Sequence, residues 1–266
     1  LRSYRQGDTN KRSFGVGMTL SYDTYLWSAN PYQEVDLITP TGGRIHYVRI
    51  SSGTGWTDAV MQSTTAPGVF YNSTISWNGD GWDMKLADGS LYVFGENAPL
   101  QYFQDRFGNR TTLIRDTPAG LIKGVVSQNG RWIKFTYNAS NVITAATDNT
   151  GRTVTYGYDA SNRLTTVTDP DNGITTYVWD TTKNRITSVR NPRQQLSGAL
   201  AFTNVYDANG RVQQQTLADG TVFTFGYTLD ANNKVTAADL TMTDSVHPSG
   251  ILRKLTFNGD GYRLTH

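Results

Sequence analysis

Apolar and polar residues alternate with a period of two along much of the second half of the chain. Aromatic or aliphatic residues stand at every second position in segments 133–137, 154–158, 177–179 and 223–227. In a β-strand such residues lie on one face, because successive side chains point to opposite sides of the sheet. No long window has the 3.6-residue spacing of an amphipathic helix. The pattern therefore predicts an all-β fold.

Turn-forming residues separate these predicted strands. Groups rich in Asp, Asn and Gly follow the aromatic positions, as in 159–162 and 207–210, and recur between them, as in 148–151 and 169–173. Asp and Asn side chains bond their own backbone in turns, and Gly and Asn accept positive φ angles. The succession of strand, turn, strand and turn predicts a meander of β-hairpins.

The hairpins form an internal repeat of 21 residues. Tyr137, Tyr158 and Trp179 are spaced by 21 positions, and Tyr206 and Tyr227 are again 21 apart. Intervals of 27 and 30 positions follow Trp179 and Tyr227, and we assign the extra residues to loop insertions. A hairpin of this size cannot bury its own aromatic stripe, so neighbouring units must pack side by side.

The regularity of the repeat suggests two regions. Residues 1–136 are less regular, although 35–47 and 82–94 have a strand, turn, strand pattern. Residues 137–266 hold the repeats, and the last one begins at Phe257 and is incomplete. We therefore predict an irregular N-terminal region over 1–136 and a repeat region over 137–266 that continues beyond the C-terminus in a longer parent protein.

Composition adds exclusions. The 266 residues are 37% hydrophobic and 12% aromatic, with 24 basic and 22 acidic side chains and a net charge of +2. Without a basic run we expect no nucleic-acid partner, and no apolar stretch approaches the roughly 18 to 20 residues of a membrane span. There is no cysteine, and the three histidines, His46, His247 and His266, match no zinc-binding spacing. We expect no cofactor and no metal site.

The repeat resembles the YD repeat of RHS proteins, which has the pattern Tyr-Asp-x-x-Gly-Arg-Leu-x-x-Val-x-Asp followed by a Gly-containing turn. Residues 158–180 follow this pattern with Asn162 at the usual Gly position, and residues 206–212 follow it as well. In the first half, Phe14-Gly15-Val16-Gly17-Met18 resembles the opening of an RHS shell, with Met where Trp is common. Residues 105–113 are similar to a further unit of the family.

This resemblance implies a structural role. RHS repeats form a long β-sheet that spirals into a hollow shell, which encloses a C-terminal toxin in bacterial toxins and serves cell-surface adhesion in teneurins. We therefore expect a non-catalytic segment of a curved or spiralling shell, from a bacterial protein that is secreted or on the cell surface. Its expected partners are further RHS repeats and an enclosed C-terminal polypeptide of the same parent protein.

Recurring aspartates provide an enzymatic alternative. They stand at equivalent turn positions and are Asp148, Asp159, Asp169, Asp180, Asp207 and Asp219. Two carboxylates in one cleft would suit a polysaccharide hydrolase, but a turn carboxylate is expected to cap its own turn. Asp169 and Asp171 lack the further ligands of a calcium loop. Asp169-Pro170 lies in an ordinary turn, and we do not interpret it as a self-cleavage motif.

The tryptophans provide a second alternative, an adhesin-like surface for a carbohydrate or a cell-surface protein. Large aromatic residues on a strand face usually pack in the core. Trp56 differs because it follows the loop-like segment Ser51-Ser52-Gly53-Thr54-Gly55. It is our one candidate for an exposed binding contact. This hypothesis expects a patch of exposed aromatic side chains, whereas the hydrolase hypothesis expects two convergent carboxylates.

Overall fold

The computed structural model describes residues 1–66, 68–195 and 197–257, together with the backbone of 263–265. The chain divides into two compact units, Leu1–Leu164 and Thr165–His266. Residues 258–262 of the last predicted repeat, and His266, lie outside the described residues. The predicted boundary between residues 136 and 137 rests on the start of the regular repeats and stays a prediction.

The first unit consists of short β-strands. Its N-terminal segment forms two small sheets, in which β1 pairs with β4 and β2 with β3. These strands, in order, are Arg2–Tyr4, Lys11–Arg12, Gly15–Val16 and Met18–Leu20. The strands of the main sheet, β5 to β17, are Tyr25–Trp27, Glu34–Ile38, Arg44–Arg49, Val60–Gln62, Thr74–Trp77, Gly81–Lys85, Leu91–Gly95, Leu100–Gln104, Arg110–Arg115, Ile122–Ser127, Trp132–Tyr137, Ile143–Asp148 and Thr153–Tyr158.

The second unit continues in the same style. Strand β18, Leu164–Thr168, begins at the boundary between the units. Strands β19 to β26 are Ile174–Trp179, Ile186–Arg190, Phe202–Tyr206, Val212–Leu217, Val222–Leu229, Val235–Thr243, Ile251–Phe257 and Arg263–Thr265. Two 3-10 turns, Gly68–Phe70 and Pro192–Gln194, are the helical segments of the described residues. None of the helical segments in this part of the chain has the length and apolarity needed to cross a membrane.

The strands are connected as a meander. Each strand from β5 to β17 pairs antiparallel with the next. The same holds from β18 to β26. The predicted all-β fold and its meander of hairpins are therefore confirmed.

The turn after each aromatic position needs one residue in the left-handed region. Asn141, Asn162 and Asn233 adopt φ angles of 59°, 59° and 60°, and Gly210 adopts 85° at the corresponding place. Asn tolerates this region better than other residues with a side chain. Asn162 can therefore occupy the usual Gly position of the repeat without breaking the turn.

The most deeply buried side chains lie in the first unit. Tyr47, Ile75 and Met84 have no exposed surface. The N-terminal segment adds to this core through Phe14, which is 2% exposed and packs its ring 4.8 Å from that of Tyr156. The first unit thus has the more completely buried core.

The N-terminal segment is also bonded to the turns of the repeats. The amide of Val16 donates to the carbonyl oxygen of Asn162 at 3.0 Å. The amide of Ile143 donates to the carbonyl oxygen of Ser13 at 2.8 Å. A methyl group on Gly15 would collide with the Asn162 carbonyl oxygen. Gly15 is therefore needed for a close approach between two backbones, as expected for a glycine in such a position.

In the second unit the aromatic stripe remains partly open. Phe223, Phe225 and Tyr227 on β23 are half-buried, while Thr224 and Gly226 between them are exposed. The period of two predicted from the sequence is thus present, but its apolar face keeps solvent contact. Such a face gains stability when another layer or unit covers it.

Candidate functional site

Four repeats open with a tyrosine whose hydroxyl bonds the preceding part of the sheet: Tyr137, Tyr158, Tyr206 and Tyr227. The hydroxyl of Tyr158 donates to the carbonyl oxygen of Ile143 at 2.5 Å. The same bond recurs from Tyr137 to Ile122 at 2.6 Å, from Tyr206 to Ile186 at 2.6 Å and from Tyr227 to Val212 at 2.7 Å. Each acceptor is the first residue of a strand. These tyrosines therefore form a recurring seam between consecutive hairpins, and each of the four bonds lies within one compact unit.

Burial keeps the seam hydroxyls in the donating form. It raises the pKa of Tyr158, and it raises the pKa of Tyr137 in the same way. A phenol that remains protonated keeps its O–H donor and satisfies a carbonyl that has little access to water. The seam bond is therefore present across the neutral pH range.

In the repeats that open at Tyr158 and Tyr206, the aspartate next to the seam tyrosine closes the turn that follows. Asp159 Oδ1 accepts from the backbone amides of Ser161 and Arg163, both at 2.9 Å. Its Oδ2 accepts from Arg163 Nε at 2.7 Å. Burial alone would raise the pKa of Asp159, but the hydrogen bonds from Arg163 outweigh it and lower that pKa. The Tyr-Asp pair thus combines a seam donor with a turn cap.

The other predicted turn aspartates cap their turns in the same way. Each carboxylate accepts from a backbone amide two or four positions later in its own turn. The pairs are Asp148 with Thr150, Asp169 with Asp171, Asp180 with Thr182, Asp207 with Arg211 and Asp219 with Thr221. The turn-capping interpretation is therefore confirmed. No group of three or more His, Cys, Asp or Glu side chains suited to a metal ion occurs among the residues that the structure describes.

One repeat departs from the Tyr-Asp spacing that the sequence predicts. Tyr227 makes the seam bond, but the capping aspartate is Asp230, three positions later, and it accepts from the amides of Asn232 and Lys234. Strand β23 has eight residues, whereas β17 has six. The strand extends past the seam, and the turn moves outward with it. The sequence interpretation placed Tyr227 correctly and missed Asp230.

The hydrolase hypothesis required two carboxylates in a cleft. Asp8 and Asp23 line one cavity of about 440 Å³ beside the N-terminal segment. Asp8 accepts from Asn10 and Arg12, and Asp23 accepts from Ser13 Oγ and the Leu20 amide, so all four carboxylate oxygens have protein donors. Burial raises the pKa of Asp23 against these donors. The contacts support a structural role for both carboxylates.

Two of the three histidines are described, and each lies beside an acidic residue. His46 Nδ1 is 2.8 Å from Asp36 Oδ1, and His247 Nδ1 is 3.1 Å from Asp244 Oδ1. Both contacts are at exposed positions. His46 belongs to the first unit and His247 to the second.

The candidate contact Trp56 lies in a loop that a single arginine organises. The Arg49 guanidinium donates to the carbonyl oxygens of Tyr32, Ser51, Ser52 and Gly55 at 2.7 to 3.2 Å. It also pairs with Asp58 at 3.0 Å, and the Arg49 side chain is only 4% exposed. The loop is therefore held in one shape, with Trp56 at 50% exposure.

Tyr32 connects this loop to the sheet. Its ring lies 6.0 Å from that of Trp56 and is stacked 6.3 Å from that of Trp82. Tyr32 is 38% exposed and has a φ angle of 68°, which is rare for a bulky residue. Backbone strain of this kind persists where surrounding contacts enforce it, and it is common at binding sites. Sequence reasoning missed both Tyr32 and Arg49.

The remaining tryptophans range from buried to exposed. Trp82 and Trp179 are 8% and 7% exposed, and Trp77 packs edge-on against Trp82 at 5.3 Å. Trp27 is 45% exposed, and the Arg44 guanidinium lies 4.7 Å from its ring centre. The first unit thus has exposed aromatic side chains at residues 27, 32 and 56. Whether Trp56 binds a ligand stays a prediction.

Comparisons with known proteins match the repeats found in the fold. The family model described as RHS Repeat matches residues 137–174, 158–195 and 206–241. No curated protein matches the chain.

Among solved structures, a TcdB2-TccC3 complex is 11% identical, with a TM-score of 0.42 over 86% of this chain and 15% of that one. TcdB2-TccC3 without its hypervariable C-terminal region is 15% identical, with a TM-score of 0.45 over 87% of this chain and 14% of that one. A Tc holotoxin pore from Photorhabdus luminescens is 12% identical, with a TM-score of 0.43 over 87% of this chain and 16% of that one.

Proposed function

We propose that this chain, which belongs to the RHS-repeat family through its repeats at 137–195 and 206–241, is a non-catalytic scaffold segment of a larger β-shell. The observation that carries the proposal is the tyrosine seam. Each seam hydroxyl satisfies a carbonyl of the preceding repeat, so the repeats that it joins stabilise one another. A wall that is built from such repeats needs no reactive group.

The partly open aromatic stripe of β23 supports the same role. Phe223, Phe225 and Tyr227 retain solvent contact, and covering them would add hydrophobic stabilisation of roughly 25 cal/mol for each Å² of apolar surface. We propose that further RHS repeats of the parent protein provide that cover. The predicted division into an opening region at 1–136 and a repeat region at 137–266 belongs to this proposal.

The finer role is to enclose or display another polypeptide. We propose that the shell holds a C-terminal polypeptide of the same parent protein, such as a toxin, and that the parent protein is secreted or on the cell surface. Family resemblance supports this part of the proposal. The low formal charge of +2 agrees with a wall that holds its cargo by exclusion and not by a strong field.

Protease protection in the full-length parent protein tests the proposal. An enclosed C-terminal polypeptide should survive a protease dose that digests the same polypeptide when it is expressed alone. The parent protein with Tyr158→Phe and Tyr227→Phe should lose part of that protection, because two seam bonds are removed. Equal digestion of the C-terminal polypeptide in the parent protein and alone would refute enclosure. A shell without enclosure would still show cooperative unfolding of its repeats.

A further inference from the structure

A small cleft opens beside Tyr32 in the first unit. It has a volume of about 120 Å³, and its lining includes two exposed aromatic side chains, Trp27 and Tyr32. The buried side chains that line it are Leu26, Val35, Met61 and Trp82. The cleft is thus an open apolar depression with aromatic walls, and none of the seam or turn contacts involves these residues.

The walls of the cleft are held before any ligand arrives. Tyr32 is fixed between Trp56 and Trp82, and Arg49 holds its carbonyl oxygen at 2.9 Å. Trp27 is stacked by Arg44, which in turn pairs with Asp36 at 3.2 Å. Binding would therefore cost little side-chain ordering, and such preorganisation is a general source of affinity.

Size and polarity select the kind of group that fits. The volume is well below the roughly 300 Å³ at which ordinary small-molecule pockets begin, and it suits one aliphatic side chain. A sugar hydroxyl against Leu26, Val35 and Met61 would lose water without gaining a partner, which is unfavourable. The cleft therefore favours an apolar side chain over a sugar ring.

The carboxylate of Glu34 adds a charge to the apolar surface that would contact a partner. Glu34 also lines the cleft, and its side chain is 40% exposed. The Glu34 carboxylate lies 3.8 Å from His46 Nε2. This distance is longer than the 2.8 Å between His46 Nδ1 and Asp36 Oδ1. The Glu34 carboxylate thus has room for a cation from a partner, which would add orientation and specificity more than affinity.

We propose that this cleft docks an extended polypeptide segment in which an apolar side chain enters between Trp27 and Tyr32 and a neighbouring Lys or Arg pairs with Glu34. The half-exposed ring of Trp56, on the far side of Tyr32, extends the same contact surface. The inference goes beyond the scaffold role and does not depend on it, because a wall segment needs no side-chain pocket of its own.

A random 12-residue peptide library displayed on phage and selected against the whole chain tests this proposal. The enriched peptides should share an apolar residue next to Lys or Arg. One enriched peptide, made synthetically with a fluorescent label, should bind at least tenfold more weakly to Trp27→Ala and several-fold more weakly to Glu34→Gln. Phe107→Ala is a matched control, because Phe107 is 75% exposed and stacked by Arg106 at 4.6 Å, outside the cleft. Thermal unfolding of each variant verifies that it is folded.

The outcomes against the proposal are distinct. Peptides without the shared pattern, or equal losses in Trp27→Ala and Phe107→Ala, would show that the cleft is not a peptide site. Binding of an oligosaccharide on a glycan array that is lost in Trp27→Ala would assign the surface to carbohydrate and overturn the peptide proposal. Neither result would alter the protease test of the shell.

Discussion

The hydroxyl of Tyr158 reaches the carbonyl oxygen of Ile143, fifteen positions earlier and fully buried, at 2.5 Å. The bond connects the start of one repeat to the body of the preceding one. Because Ile143 has no exposed surface, water cannot replace the donor if it is removed. The first residue of the Tyr-Asp pair is therefore a connection between repeats as well as a member of the apolar stripe.

Tyr158→Phe should destabilise the chain by about 1–3 kcal/mol, the usual cost of leaving a buried polar group without its partner. Urea denaturation followed by tryptophan fluorescence measures the change. Tyr71→Phe is the control, since Tyr71 is 52% exposed and its hydroxyl has access to water. A loss of the same size in both variants would remove the special role of the seam.

Asp159→Ala should cost about 1–2 kcal/mol, because three charge-assisted hydrogen bonds are lost from a side chain that keeps 26% of its exposure. Asp171→Ala is a matched change at an exposed residue of another turn, and it should leave stability nearly unchanged. Chemical denaturation of both variants at pH 7 provides the comparison. If Asp171→Ala were the more damaging change, the turn-cap assignment would fail.

Stability should fall in acid through the same carboxylates. The pKa of Asp159 is lowered below its ordinary 3.8 in the folded chain. Its contribution to the free energy of unfolding is therefore complete well above pH 3.8 and is lost as the pH falls through the lower pKa of the folded state. The free energy of unfolding should therefore decrease below about pH 4. Asp159→Asn should decrease less steeply than the unmodified chain in denaturation curves from pH 5 to pH 2. Identical slopes would mean that this carboxylate is not linked to folding.

The repeats were predictable because their signals are local. A period of two, Asp at turn starts and Asn or Gly at positive φ each follow from a few neighbouring residues, as Asn162 illustrates with its φ of 59°. The seam was less accessible, since an aromatic residue in a stripe does not reveal the partner of its hydroxyl. The shift of the cap from the expected place to Asp230 depends on strand length, which no local signal specifies.

The aromatic site was only partly predictable. Trp56 stood out because it follows a Ser- and Gly-rich loop, but Arg49 gave no comparable signal. Its role depends on four carbonyl groups, including that of Tyr32, which lies 17 positions away. The cleft beside Tyr32 also depends on Met61 and Trp82 from other strands. Contacts between distant segments are set by tertiary packing, and periodicity does not contain that information.

Gly15→Ala should be markedly more destabilising than Gly151→Ala. Both glycines have a positive φ, 91° and 87°, but only Gly15 has a backbone carbonyl, that of Asn162, where the new methyl group would lie. Gly151→Ala should cost about 1–2 kcal/mol from left-handed backbone strain alone, and Gly15→Ala should add about 1–3 kcal/mol for the displaced backbone. Thermal and urea denaturation of the two variants give the difference. Equal losses would show that the N-terminal segment moves away from Asn162 without cost.

Arg49→Lys should loosen the Trp56 loop and leave the sheet intact. A lysine keeps the charge and can pair with Asp58, but it cannot reproduce a planar guanidinium that donates to four carbonyl groups. Hydrogen exchange followed by mass spectrometry should show faster exchange for amides within 51–59, and the exchange of β14 to β17 should be unchanged. Arg44→Lys is the control, because Arg44 pairs with Asp36 and stacks on Trp27 without touching this loop. If exchange of 51–59 were as slow in Arg49→Lys as in the unmodified chain, the loop would hold its own shape, and the fixed position of Trp56 would require another cause.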